Sequence, residues 1–296
     1  MQLNLEKSLQ NDRPGGTLPV AFGRPLLKWV GSKQRVAPQI ISCFPDNFRT
    51  YFEPFLGSGG VLGTLAPKRA VASDSFEPLM KLWQTLSVSP ETVKQWYRER
   101  WELLTSEDKV IAYESIKASY NACPNPADLL FLSRSCYGGV VRFRRDGYMS
   151  TPCGPHDPIK PQSFSERVDE WHTRTNGTSF EHMEFSEAFE RAEKGDLVYC
   201  DPPYAYSQTI LYGAQGFVLQ SLFDSIKKAS DRGVLVALSI DGTKKSGDMI
   251  CNVVIPSNLF RREVVVNVGR SMLRRFQMNG RSLESEVVSD RLMLNY

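Results

Sequence analysis

The sequence has no apolar run long enough to cross a membrane, and its first residues, MQLNLEKSLQNDRPGG, lack the apolar centre of a secretory signal. The expected setting is therefore solution in the cytoplasm. Six cysteines include no C-x-x-C pair and no neighbouring His at a zinc-ligand spacing. That speaks against the common structural zinc motifs and for reduced thiols. The three histidines, His156, His172 and His182, form no evident catalytic set. Charge of one sign is also scarce: 36 Lys and Arg stand against 33 Asp and Glu, a net of +3. Any surface that attracts nucleic acid must then come from uneven placement of charge. No internal repeat is visible.

A chain of 296 residues fits one large α/β domain, or a core carrying an insertion. Residues 1–22 are polar with a Pro-Gly-Gly break and read as a loose arm. A helical stretch around Gln34 to Cys43 precedes a strand-like run, Thr50 to Pro54. The Gly-rich FLGSGGV follows, and then a second strand, Ala70 to Ser73, ending at Asp74. Strand, Gly-rich turn, helix and strand ending in an acid is the opening of a nucleotide-binding βαβ unit. From about 90 to 150 the alternation stops. ETVKQWYRERWELL and DKVIAYESIKASYNAC are helical, with Trp96, Tyr97 and Trp101 spaced to pack one helix onto its neighbours. Alternation returns after about residue 163 with the strand of GDLVYC, a helix closed by Gly233, and the strand VLVALSID. Two C-terminal strands, in EVVVNVG and SDRLMLNY, suit an antiparallel edge hairpin. The division expected is an arm at 1–22, a core at 23–88 and 160–296, and an insertion at 89–159.

Three segments carry chemistry. Asp201, Pro202, Pro203 and Tyr204 end the strand LVYC, and open α/β sheets bind ligands at the carboxyl ends of their strands. A carboxylate there accepts hydrogen bonds from an amino group. Two prolines remove donors and leave carbonyl acceptors, and Tyr204 offers a flat face. A conjugated exocyclic amine is a poor nucleophile, and acceptors at its hydrogens favour the pyramidal form and the developing cation. Read alone, the segment is also a strand-end Asp before a Pro-Pro turn. In FLGSGGV, Gly57 and Gly59 allow close approach of a backbone to a ligand, but the longer dinucleotide fingerprint is missing. Asp74 lies at the interval of an acid that binds ribose hydroxyls. LLKWVGSK offers an apolar strand start and an exposed turn between lysines; Lys33 suits a carboxylate and Trp29 the cover of a cofactor. The residues alone leave that segment open between these roles and the start of a helix.

Together the three segments resemble the Dam-type (D12 class) DNA adenine methyltransferases. KWVGSK is similar to the family's K-W-x-G-x-K, EPFLGSGGV to its cofactor motif E-P-F-x-G-x-G, and YCDPPY to its catalytic motif. Their order is that of the α-group, and the resemblance runs from about residue 24 to the end. It implies a Rossmann-like α/β core: a mostly parallel, doubly wound sheet with an antiparallel edge hairpin, plus a mostly helical target-recognition insertion. It implies S-adenosylmethionine (AdoMet) as methyl donor, S-adenosylhomocysteine as product, and no metal. By resemblance, Trp29, Lys33, Glu53, Pro54, Phe55, Gly57, Gly59, Asp74, Phe185 and Asp201 lie at the cofactor. Asp74 holds the ribose hydroxyls and Phe185 sits beside the adenine ring. Asp201 and the Pro202 carbonyl accept from the target amine, and Tyr204 stacks on a base flipped out of duplex DNA.

The insertion carries the expected DNA side. In SRSCYGGVVRFRRDG, Arg134, Arg142, Arg144 and Arg145 face only Asp146, with Tyr137 and Phe143 interleaved. That mixture suits phosphate and base contacts and resembles the family's Tyr-x-Gly-x-x-Arg segment. Gly138 stands where GATC methylators carry Asn, and TPCGPHD lacks the Arg of a similar P-x-G-R segment, so a GATC target does not carry over. A second basic stretch holds Arg270, Arg274, Arg275 and Arg281. The expected protein is a monomeric, site-specific enzyme acting on adenine N6 in double-stranded DNA, paired with a restriction endonuclease or acting alone. The alternatives are a cytosine-N4 enzyme of the same fold, an RNA adenine enzyme, and an inactive DNA-binding regulator.

Overall fold

Alternate residues of the central strands feed two separate cores. Leu197 and Tyr199 pack on one face of the sheet, and Val198 and Cys200 on the other. A strand buried on both faces is the mark of a parallel sheet covered on each side. The computed structural model describes residues 22–106, 108–203, 217–244, 249–250, 253–270 and 287–296. Its strands are β1 (Tyr51–Glu53), β2 (Ala70–Asp74), β3 (Thr178–His182), β4 (Leu197–Cys200), β5 (Leu235–Lys244), β6 (Met249–Ile250), β7 (Arg262–Arg270) and β8 (Val287–Leu294). The sheet order is β3-β2-β1-β4-β5-β8-β7, with β6 pairing β5 off that path. The pairs β1 with β2, β2 with β3, β1 with β4 and β4 with β5 are parallel. β8 is antiparallel to both β5 and β7, so the C-terminal hairpin forms the edge, as the sequence predicts. The strand order reverses between β1 and β4, the switch point where a doubly wound sheet opens a crevice.

Helices α1 (Ala37–Ile41), α2 (Gly60–Leu65) and α3 (Glu77–Val88) lie with the first core. α8 (Phe185–Arg191) and α9 (Leu219–Asp231) cover the second. α9 buries Leu222, Phe223, Ile226 and Ala229, a helix-spaced stripe. It ends as expected at Gly233, whose φ of 85° lets Gly233 N–H reach the Ser230 carbonyl and Val234 N–H that of Ala229. This is the paired bonding of a Schellman stop.

The helical region consists of α4 (Pro90–Ser106), α5 (Lys109–Ala122) and α6 (Pro126–Ser135), followed by α7 (Pro161–Arg174). Asp108 caps α5 by accepting from the Val110 and Ile111 N–H groups, at 2.9 and 3.1 Å. Tyr97 of α4 is fully buried, with its ring stacked 3.9 Å from Phe164 of α7. One apolar cluster runs from these helices to the sheet, so packing does not break at residue 89. The 22–36 segment corrects one expectation: it contains no strand. Its backbone is held by side chains instead. Trp171 Nε1 donates to the Arg24 carbonyl at 2.8 Å, Arg167 to Pro25 at 3.2 Å, and Arg134 to Pro25 and Leu26 at 3.0 and 2.9 Å. The turn expected to be exposed there is half-buried at Gly31 and Ser32, and Lys33 is buried. Residues 1–21, most of the expected arm, lie outside the described residues.

Candidate active site

A cleft of about 960 Å³ opens at the carboxyl ends of β1, β2, β3 and β4. Each strand delivers one piece. After β1 come Phe55 and Gly57, at the end of β2 Asp74, after β3 Glu184 and Phe185, and after β4 Asp201 and Pro203. Trp29 to Lys33 form another wall, and Tyr120, Phe143 and Gly147 of the helical region close the far side.

The Gly-rich turn is shaped by its partners. Gly57 has φ 49°, and its N–H donates to Asp74 Oδ2 at 3.1 Å. Phe76 N–H donates to Asp74 Oδ1 at 3.1 Å, while Trp83 Nε1 donates to the Gly57 carbonyl at 3.1 Å. A Cβ at Gly57 would sit 3.3 Å from the Trp29 ring, in a backbone region that L-residues rarely adopt. Burial raises the Asp74 carboxyl above its usual range, although the two backbone N–H groups oppose that shift. Phe185 stacks on Phe55 at 5.4 Å, and Phe217 meets both rings edge-on at 5.8 and 5.9 Å. Together they form a flat apolar wall.

At the floor, Lys33 Nζ lies 2.8 Å from Asp201 Oδ1 and 2.9 Å from Oδ2, and donates to the Gly31 carbonyl at 3.1 Å. Asp290 of β8 follows at 3.5 Å. Burial alone would lower the Lys33 ammonium, but Asp201 and Asp290 outweigh it and hold it above the usual lysine value. Beside them, buried Glu53 accepts from Tyr51 Oη at 2.7 Å. Desolvation pushes the Glu53 carboxyl up to about 8, the Tyr51 bond working against it and the charge of Asp201 adding to it.

The cleft thus gathers Trp29, Lys33, Glu53, Phe55, Gly57, Asp74, Phe185, Asp201 and Pro203. Gly59 stands behind it, at φ 64°, against Trp83 and Trp171. Pro54 and Pro202 do not line the cleft wall. Phe217, Phe76 and Asp290 were missed by sequence reasoning. The one available signal was an acid, Asp290, set inside the apolar strand SDRLMLNY.

The basic segment divides. Residues 142–150 form a hairpin, with Arg144 N–H donating to the Tyr148 carbonyl at 2.9 Å and Ser150 N–H to Arg142 at 2.9 Å. Arg144 and Arg145 are exposed at its tip, the Arg144 guanidinium 4.7 Å from the Tyr148 ring centre. Arg142 is half-buried, and Tyr137 is exposed beside Gly138, which has φ 65°. Two of the segment's residues are buried. Arg134 is 5% exposed and its guanidinium donates to the Pro25 and Leu26 carbonyls, so it braces the 22–36 segment, where the sequence reading puts it on the DNA side. Phe143 is buried edge-on against Phe76, a cleft residue. Tyr204, Arg274, Arg275 and Arg281 lie outside the described residues, and so does the side chain of Arg270.

The family model of D12 class N6 adenine-specific DNA methyltransferases matches residues 29–250. The chain belongs to that family. This methyltransferase is 28% identical over 236 residues to the type II methyltransferase M1.LlaDCHI of Lactococcus lactis subsp. cremoris, covering 73% of this chain and 80% of that one. It is 27% identical over 228 residues to a DNA adenine methylase of Vibrio cholerae, with the same coverage. A DNA N-6-adenine-methyltransferase of Escherichia phage P1 is 26% identical over 232 residues, 77% of this chain and 29% of that protein. Family membership makes the chain an adenine-N6 enzyme and sets aside the cytosine-N4 alternative. Methyltransferases of this class take AdoMet as donor. No helix among the described residues is long and apolar enough to cross a membrane.

Proposed function

We propose that the cleft binds AdoMet against the Gly57 turn and the Phe55–Phe185–Phe217 wall, and presents Asp201 to the N6 amine of an adenine flipped from duplex DNA. The observation that carries this is the placement of Asp201 at the switch point, in one cleft with the Gly57 turn and Asp74. The residues present fit AdoMet. A Cβ at Gly57 would press on the Trp29 ring at 3.3 Å, so only the bare turn lets backbone and ring flank the cleft together. Asp74 faces the cleft with a carboxylate that still has acceptor capacity for ribose hydroxyls. When bound, AdoMet supplies a methyl group on a sulfonium centre, so no Lewis acid is required for departure.

Asp201 accepts from one hydrogen of the amine, which favours the nitrogen lone pair over conjugation and stabilises positive charge as the new N–C bond forms and the S–C bond breaks; that hydrogen then leaves the nitrogen as a proton. The aromatic wall and Trp29 keep water from the reacting atoms. Protonated Glu53 adds no second negative charge next to Asp201 near neutral pH. The exposed Arg144 and Arg145, together with Arg142, Tyr137 and Gly138, form the DNA-facing side of residues 89–159.

The test is Asp201→Asn. Loss of an acceptor for developing charge should slow methyl transfer at least about 100-fold. AdoMet affinity should stay within about tenfold, because Asp74 and the Gly57 turn remain. Transfer within a few-fold of the wild-type rate would remove Asp201 from the reaction.

A further inference from the structure

In this structure both oxygens of Asp201 are engaged by the Lys33 ammonium, at 2.8 and 2.9 Å. Each oxygen keeps a further lone pair for the target amine, so Lys33 fixes the direction in which Asp201 presents it. The ammonium is only 5% exposed, and a second buried carboxylate, Asp290, helps to hold it there. Its carboxylate is 5% exposed and lies 3.5 Å from Lys33 Nζ, within ion-pair reach but looser than the Asp201 contacts. It projects from β8, which is hydrogen-bonded to β5 on one side and β7 on the other. Its position is thus fixed by the sheet and does not follow the cleft loops. Lys33 therefore bridges an aspartate fixed in the sheet and the aspartate of the cleft.

We propose that Asp290 is a positioning residue for methyl transfer, anchoring the Lys33 ammonium and through it the direction in which Asp201 faces the adenine amine. The proposal rests on the reading of Asp201 as the amine acceptor. No bond is made or broken at Asp290, and no proton moves. A residue that merely filled space would affect folding and all ligands alike, whereas a holding site affects the step after both substrates are bound, and only while Lys33 is present.

The experiment is single-turnover methylation of duplex DNA at saturating AdoMet and DNA, with the dissociation constants of both measured separately. Asp290→Asn should slow transfer about tenfold or more while leaving both constants within about threefold. Asp290→Glu, which keeps the charge, should recover the rate to within about threefold of wild type. In a Lys33→Met background, adding Asp290→Asn should slow transfer no further, since the lysine it anchors is gone. That pair of variants also decides the matter should Asp290→Asn alone fail to fold. A wild-type rate for Asp290→Asn, an equal loss for Asp290→Glu, or an undiminished effect of Asp290→Asn without Lys33 would overturn the proposal. Asp201→Asn, run in parallel, separates the two ideas. If it transfers methyl at the wild-type rate, the acceptor reading falls and takes this inference with it. If it is inactive while Asp290→Asn is not slowed, the role of Asp290 alone falls.

Discussion

Glu53 is 3% exposed, at the end of β1, and its carboxyl is pushed from 4.5 up to about 8 by burial. Between those two values the folded chain holds a proton at Glu53 that the unfolded chain has released. Stability must then fall as pH rises through that window, reaching its full penalty above about pH 8. Each unit of displacement is worth about 1.36 kcal/mol, so the total is about 4–5 kcal/mol. Glu53→Gln removes the titration while keeping the shape and an oxygen for the Tyr51 hydroxyl. The stability of the Gln variant minus that of wild type should therefore grow by about 3–4 kcal/mol between pH 5 and pH 8. Other titrating groups largely cancel in the difference. Urea unfolding followed by tryptophan fluorescence at pH 5, 6, 7 and 8, without AdoMet, measures it. A difference flat to within about 1 kcal/mol over that range would refute the account of Glu53 as a neutral buried acid.

Arg144→Ala and Arg145→Ala should weaken DNA binding and each lower the slope of log affinity against log salt by about 1, as expected for one lost phosphate contact. An unchanged slope in titrations from low to moderate salt would take the hairpin tip off the DNA. Arg134→Ala should behave in the opposite way. Leaving the Leu26 carbonyl without its donor, and that of Pro25 with Arg167 alone, should destabilise the fold by about 2 kcal/mol, with DNA affinity of the folded fraction unchanged. A loss of affinity without a loss of stability would restore Arg134 to the interface.

The parts of the site tied to strand ends were legible in the sequence. A Gly-rich turn after one strand, an acid at the end of the next, and Asp-Pro-Pro after a third place Gly57, Asp74 and Asp201 together once the sheet order is known, because parallel neighbours share a carboxyl edge. Short-range pattern also sufficed for α9, whose apolar stripe and Gly233 stop are local signals. What escaped depends on contacts far apart in the chain. β3 mixes exposed and buried positions in five residues, so it shows no alternation. α6 is buried along nearly its whole length and gives no amphipathic stripe, which hid it within an apolar run. Arg134 reads as one more basic residue of a basic segment; only the fold brings it to the carbonyls of Pro25 and Leu26. Asp290 reaches Lys33 across the whole sequence, and no spacing rule connects those two positions.

The most direct test of the central claim is nucleoside mass spectrometry of unmethylated duplex DNA incubated with labelled AdoMet and either the wild-type protein or Asp201→Asn. The account predicts labelled N6-methyladenine from wild type and about 100-fold less from the variant, with AdoMet still bound by both. Label in N4-methylcytosine, or N6-methyladenine formed equally well by the variant, would contradict it.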